Sequence, residues 1–193
     1  MERNLLRSQK GAATVEFSFV AIILIFVVFG VVEFGSVIHA QAVVTNVARE
    51  GGSIGSRDLL TSQDENNKSN LLNLLEASSW PLNFESEPSK FKLFIAMVQA
   101  GTAGNNNPSC TGTIQQSGQL NGPEVVLPAN GNQCGLTDTF WNLLTFNPNL
   151  GTAPLNQMTV VTVYYQHDPL TPLANFLTTG GNGKRVISSK AVF

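Results

Sequence analysis

The most oddly placed chemical group in the chain is the carboxylate of Glu16. It stands at the head of Phe17 to Val32, a run that carries no charge and is almost wholly Phe, Val, Ile, Leu and Ala. A carboxylate at the start of a membrane span is costly unless it is paired or sits at the interface. Two readings follow from the residues. In one, Glu16 lies among lipid headgroups. In the other, it meets a positive charge inside an assembly. An α-amino group freed by a cut after Gly11 would supply that charge.

Other groups with chemical potential are few. Cys110 and Cys134 lie 24 positions apart in Gly-, Asn- and Ser-rich sequence, with no C-x-x-C and no histidine nearby. Outside the cytoplasm such a pair reads as one structural disulfide. Closing a loop of that size contributes roughly 3 kcal/mol. His39 and His167 each stand without an acid, base or nucleophile close in sequence, which suits surface or packing roles better than catalysis. Gly180-Gly181-Asn182-Gly183-Lys184-Arg185 lacks the first glycine and the final Ser/Thr of a phosphate loop, so it reads as a hairpin turn. Asp64-Glu65 and Glu85-Ser86-Glu87 are too short and irregular for a calcium loop. With two cysteines and two histidines, a Cys/His metal site has little to draw on. The reading is of a non-enzymatic chain with no metal and no cofactor.

The elements that must position these groups start with the apolar run. The 17 steps from Glu16 to Glu33 span roughly 25 Å as a helix, close to the hydrocarbon thickness of a bilayer. Arg3, Arg7 and Lys10 precede it, which places the N-terminus in the cytoplasm and the rest of the chain across the membrane. Val37, Ala40, Val44, Val47 and Ala48 then recur at helical spacing. One helix is therefore predicted from about Ala12 to Glu50, with Gly51-Gly52 as its stop. An Ala40-Gln41-Ala42 sequence also fits a signal-peptidase site, but the apolar run is longer than an ordinary signal core.

Beyond the helix, 53–70 reads as a polar loop, and Leu71, Leu72, Leu74 and Leu75 as a short helix ending before Pro81. Phe91 to Gln99 is apolar on both alternating rows, as a central strand is. Residues 101–122 read as loop and Glu124 to Leu127 as a short strand. Met158 to Gln166 is the strongest strand, being almost entirely β-branched or aromatic. Leu170 to Leu177 reads as a turn and short helix, and Arg185 to Phe193 as a last strand. The expected fold is α+β: a long transmembrane helix continuing into an amphipathic helix beyond the membrane, packed on a small antiparallel sheet. A formal charge of −2 and only 12% charged residues give no basic face for nucleic acid.

Three stretches carry a family resemblance. Gly11-Ala12-Ala13-Thr14-Val15-Glu16-Phe17 resembles the prepilin peptidase site of the type IV pilin superfamily, in its Flp/Tad branch. Val32-Glu33-Phe34-Gly35, then Gln41-Ala42 and Thr45 to Gly51, is similar to TadE-like minor pilins of tight-adherence pili. Val161 to Tyr165 followed by Pro169-Leu170-Thr171-Pro172-Leu173 resembles the strand and turn common in the same proteins. The resemblance implies a pilin-like fold, with 1–11 as a leader, 12–52 as the helix and 53–193 as a periplasmic domain. It implies cleavage between Gly11 and Ala12, and an assembly role for Glu16 and Phe17. The implied partners are the inner membrane, the prepilin peptidase, other Tad/Flp pilins and the assembly platform, with no nucleic acid and no small-molecule substrate. The competing reading is a single-pass anchored adhesin or binding domain that never enters a filament.

Overall fold

The structure is a computed structural model that describes residues 3–56, 65–110, 114–126, 133–172 and 184–193. Its elements run α1 (Arg3–Ser56), α2 (Glu65–Ala77), a 3-10 turn (Pro88–Lys90), β1 (Phe91–Gln99), β2 (Ile114–Ser117), a second 3-10 turn (Gln133–Gly135), α3 (Asp138–Leu144), β3 (Gln157–His167) and β4 (Arg185–Val192). The fold is α+β: a long, apolar N-terminal helix followed by a four-stranded antiparallel sheet of order β2-β1-β3-β4. The turn at 180–183, and residues 173–177 of the turn and short helix read over Leu170 to Leu177, lie outside the described residues.

The chain divides into two compact units. One comprises 1–38 with 168–184, the other 39–167 with 185–193. In the second unit the sheet has two apolar faces, as the double apolar row of β1 requires of a central strand. On one face Leu93 pairs with Val163 and Ile95 with Val161, all buried. The 39–56 part of α1 and α2 lie against this face. Ala40, Val44, Val47 and Ala48 are buried along a single helical stripe. Thr159 Oγ1 donates to the Gly55 carbonyl at 3.3 Å. Farther along, Phe84 stacks on Phe91 with ring centroids 4.5 Å apart. The opposite face buries Ala96, Val98, Met158 and Val160 against Cys110, Cys134, Leu136 and Leu144. A second cluster there joins Phe94, Leu120 and Tyr164.

Several local expectations change. The helix does not stop at Gly51-Gly52 but continues to Ser56. The glycines serve packing instead of termination. A Cβ on Gly51 would lie 2.8 Å from Leu75 Cδ1 and 3.1 Å from Val161 Cγ1, and the Phe193 ring occupies the place of a Cβ on Gly52. The supposed loop over 53–70 is helical at both ends, since α2 begins at Glu65. The supposed loop over 101–122 contains β2, whose Ile-Gln-Gln-Ser sequence shows no strand pattern because its pairing is made by backbone. Residues 124–126 form no strand. The seven-residue α3 had no counterpart in the sequence reading.

Candidate functional site

The site is built on the first part of α1. From Gly11 to Val20 every residue is exposed, and Phe17 remains 73% exposed. The exposure continues through Phe19, Ile23, Phe26, Val31, Phe34 and Ile38. Water is a poor solvent for so much contiguous apolar surface. The helix is long and apolar enough to cross a membrane, and none of its most apolar window is buried.

Gly11 and Ala12 lie inside the helix, and the space where a Gly11 Cβ would stand is open. Glu16 is exposed on the same stretch. Ser18 Oγ donates to the Thr14 carbonyl at 2.8 Å, which satisfies a hydroxyl that would otherwise face an apolar medium. Gly11, Ala12, Glu16 and Phe17 thus lie within two turns of one exposed helix.

A second constellation lies one span-length along the helix and joins residues far apart in the sequence. Glu33 Oε2 accepts three hydrogen bonds from the segment 168–172. The donors are the Leu170 N–H at 3.1 Å, the Thr171 N–H at 3.0 Å and the Thr171 hydroxyl at 3.0 Å. Hydrogen bonds to an ionised carboxylate are about twice as strong as neutral ones. Thr171 is buried, whereas Leu170 is 65% exposed. Beside the turn, Lys184 forms an ion pair with Asp168 at 3.4 Å. Ser36 Oγ donates to the Glu33 carbonyl at 2.8 Å. The sequence held two signals for this cluster: a lone carboxylate ending an apolar run, and a Pro-Leu-Thr-Pro turn needing an acceptor. Nothing local links the two.

Cys110 and Cys134 form a disulfide, with Cα atoms 6.1 Å apart. Both cysteines are part of the apolar cluster under the sheet. The bridge fastens the polar excursion to β1 and β3 and has no reactive thiol to offer. His39 is exposed on α1, and His167 is buried at the end of β3, opposite Arg185 on β4. Among the described residues, no group of three or more His, Cys, Asp or Glu side chains is placed to hold a metal ion.

Comparison with known families decides what the helix resembles. Residues 11–53 match the family model of TadE-like proteins. The segment is TadE-like. The match begins at Gly11, takes in Glu16 and Glu33, and ends just past Gly51-Gly52. No curated protein and no solved structure matches the chain.

Proposed function

We propose that this chain is a minor pilin, or pseudopilin, of a Tad/Flp-type pilus involved in surface adherence. It enters the inner membrane with Arg3, Arg7 and Lys10 on the cytoplasmic side, and its sheet domain faces the periplasm. The prepilin peptidase cuts between Gly11 and Ala12. The α1 helix then packs among other pilins.

The observation that carries this reading is the exposed TadE-like helix with Glu16 as the fifth residue after Gly11. After cleavage, Glu16 lies one helical turn from the new amino group of Ala12. A neighbouring subunit's amine can meet the carboxylate in an apolar medium, where such a pair is far stronger than in water. The amine is charged and must find an acceptor on entering the assembly, and Glu16 supplies it. Phe17, largely exposed, gives apolar surface next to that contact. Gly11 also suits the cleavage step. The bond lies in a helix, and a protease needs it locally unwound. A glycine costs the helix about 1 kcal/mol relative to alanine, so unwinding is easiest there.

The decisive measurement is the mass of the mature N-terminal peptide from membranes of a piliated host. A chain beginning at Ala12 is expected. A start at Val43 would mean signal-peptidase cleavage and refute the pilin reading, as would an uncut N-terminus in cells with an active prepilin peptidase. A second test is Glu16→Ala. The variant is expected to insert in the membrane normally while pilus assembly falls. Unchanged piliation with the variant as the sole copy would remove Glu16 from the assembly role.

A further inference from the structure

We infer that the turn 168–172 is a lipid contact: Leu170 enters the bilayer interface at the level where Glu33 ends the membrane span. The inference rests on the reading of α1 as a span and adds a second element to the membrane-facing surface.

Four observations meet at this turn. First, Glu33 ends the run of uncharged residues that begins after Glu16, at about the distance of one hydrocarbon thickness. Its carboxylate therefore falls near the hydrocarbon boundary. Second, that carboxylate receives three donors on one oxygen. A charge so held is far less costly close to lipid than a bare one. Third, the backbone of the turn is unusually poor in free donors. Pro169 and Pro172 have no N–H, and the N–H groups of Leu170 and Thr171 both go to Glu33. Residues 169–172 thus present no unsatisfied backbone donor, which is the condition for polypeptide to approach an apolar medium. Fourth, Leu170 is the large side chain that this turn leaves outward, 65% exposed, while Thr171 is turned in and buried. It stands beside a helix whose own apolar residues Val31 and Phe34 are exposed at the same level.

Each feature has a bland reading alone, but together they favour lipid over water. In water, backbone donors at a surface turn need no partner, and an exposed leucine gains nothing. The Asp168–Lys184 ion pair beside the turn is neutral as a pair, so it does not oppose approach to an anionic surface. A second protein could also cover Leu170, and the experiment separates that outcome.

The test uses the full chain reconstituted in vesicles of phosphatidylethanolamine and phosphatidylglycerol. Trp80 and Trp141 are replaced by phenylalanine, and a single tryptophan is introduced by Leu170→Trp or, as a control, by Phe26→Trp in the span. Emission is followed with lipids brominated near the headgroup or near the chain terminus, and with aqueous acrylamide. The inference expects the Phe26→Trp protein to be quenched by the deep lipid. It expects the Leu170→Trp protein to be quenched by the shallow lipid and little by the deep one. Adding Glu33→Ala to Leu170→Trp should shift quenching from lipid to acrylamide, because the turn is no longer held to the helix. If the Phe26→Trp protein escapes both lipids, the span reading fails, and the inference with it. If that control is quenched but the Leu170→Trp protein responds only to acrylamide, the turn faces water and the inference alone fails. Protection from lipid and acrylamide together would mean a protein covers Leu170, and would equally overturn it.

Discussion

The two parts of α1 on either side of Ile38 have similar backbones and opposite surroundings. Before it, Phe17, Phe19, Ile23, Phe26, Val31 and Phe34 are all exposed. After it, Ala40, Val44, Val47 and Ala48 are buried, and a Cβ on Gly51 or Gly52 would press on a neighbouring side chain. The bulky residues stand where the helix is exposed, and the small ones where it is buried. A hydrophobic side chain is placed by the solvent it meets. The first part is built for a lipid or for other helices, and the second for its own domain. Glycine makes the same point. A Cβ on Gly30 or Gly35 would meet nothing within 4 Å, whereas on Gly51 it would press on Leu75 and Val161.

The sharpest way to break this comparison is to put one charge into each part. Ile25→Arg replaces an exposed residue, a change that is nearly free in water. If the residue faces the bilayer, the apparent free energy of membrane insertion should rise by about 3 kcal/mol. Asn46→Arg, also at an exposed position, should leave insertion unchanged and shift domain stability by less than about 0.5 kcal/mol. Equal, small effects at both positions would show that the first part does not meet lipid.

A somewhat smaller effect tests the packed part. Gly51→Val should destabilise the sheet domain by about 2 kcal/mol, read as a lower denaturation midpoint in detergent, because the added side chain presses on the buried Leu75 and Val161. Gly30→Val should leave that midpoint in place. A neutral Gly51→Val would mean that the helix does not lie against the sheet as closely as described.

The smallest expected change concerns the turn. Thr171→Val deletes one of three hydrogen bonds to Glu33 and keeps the shape of the side chain. Holding the turn should weaken by about 1 kcal/mol, seen as faster hydrogen exchange at the Leu170 and Thr171 amides. Unchanged exchange would place the hold entirely in the two backbone donors.

How much of this was legible beforehand depends on how far apart the interacting residues are. The long helix, the strands near 91–99, 157–167 and 185–192, and the amphipathic stripe from Ala40 to Ala48 were all readable. Each is written in local periodicity and in residue type, and the cysteine pairing follows from there being only two. That Gly11, Ala12, Glu16 and Phe17 share one helix was legible for the same reason. Gly51-Gly52 was misread because a helix stop and a close-packing notch look alike until the partner is known. The pairing of β2 was invisible because an edge strand of mostly polar residues is fixed by its neighbour's backbone.

By itself, then, the sequence determined the helix, its length against a bilayer, the main strands and the glutamate at the head of the span. These depend on local propensity, on periodicity and on the solubility of a single segment. Only the tertiary structure decided that α1 continues past its glycines, because that depends on how near Leu75 and Val161 come. Only it joined Glu33 to Thr171, residues 138 positions apart. A carboxylate and the donors that satisfy it need no common spacing, only a fold that brings them within 3.1 Å.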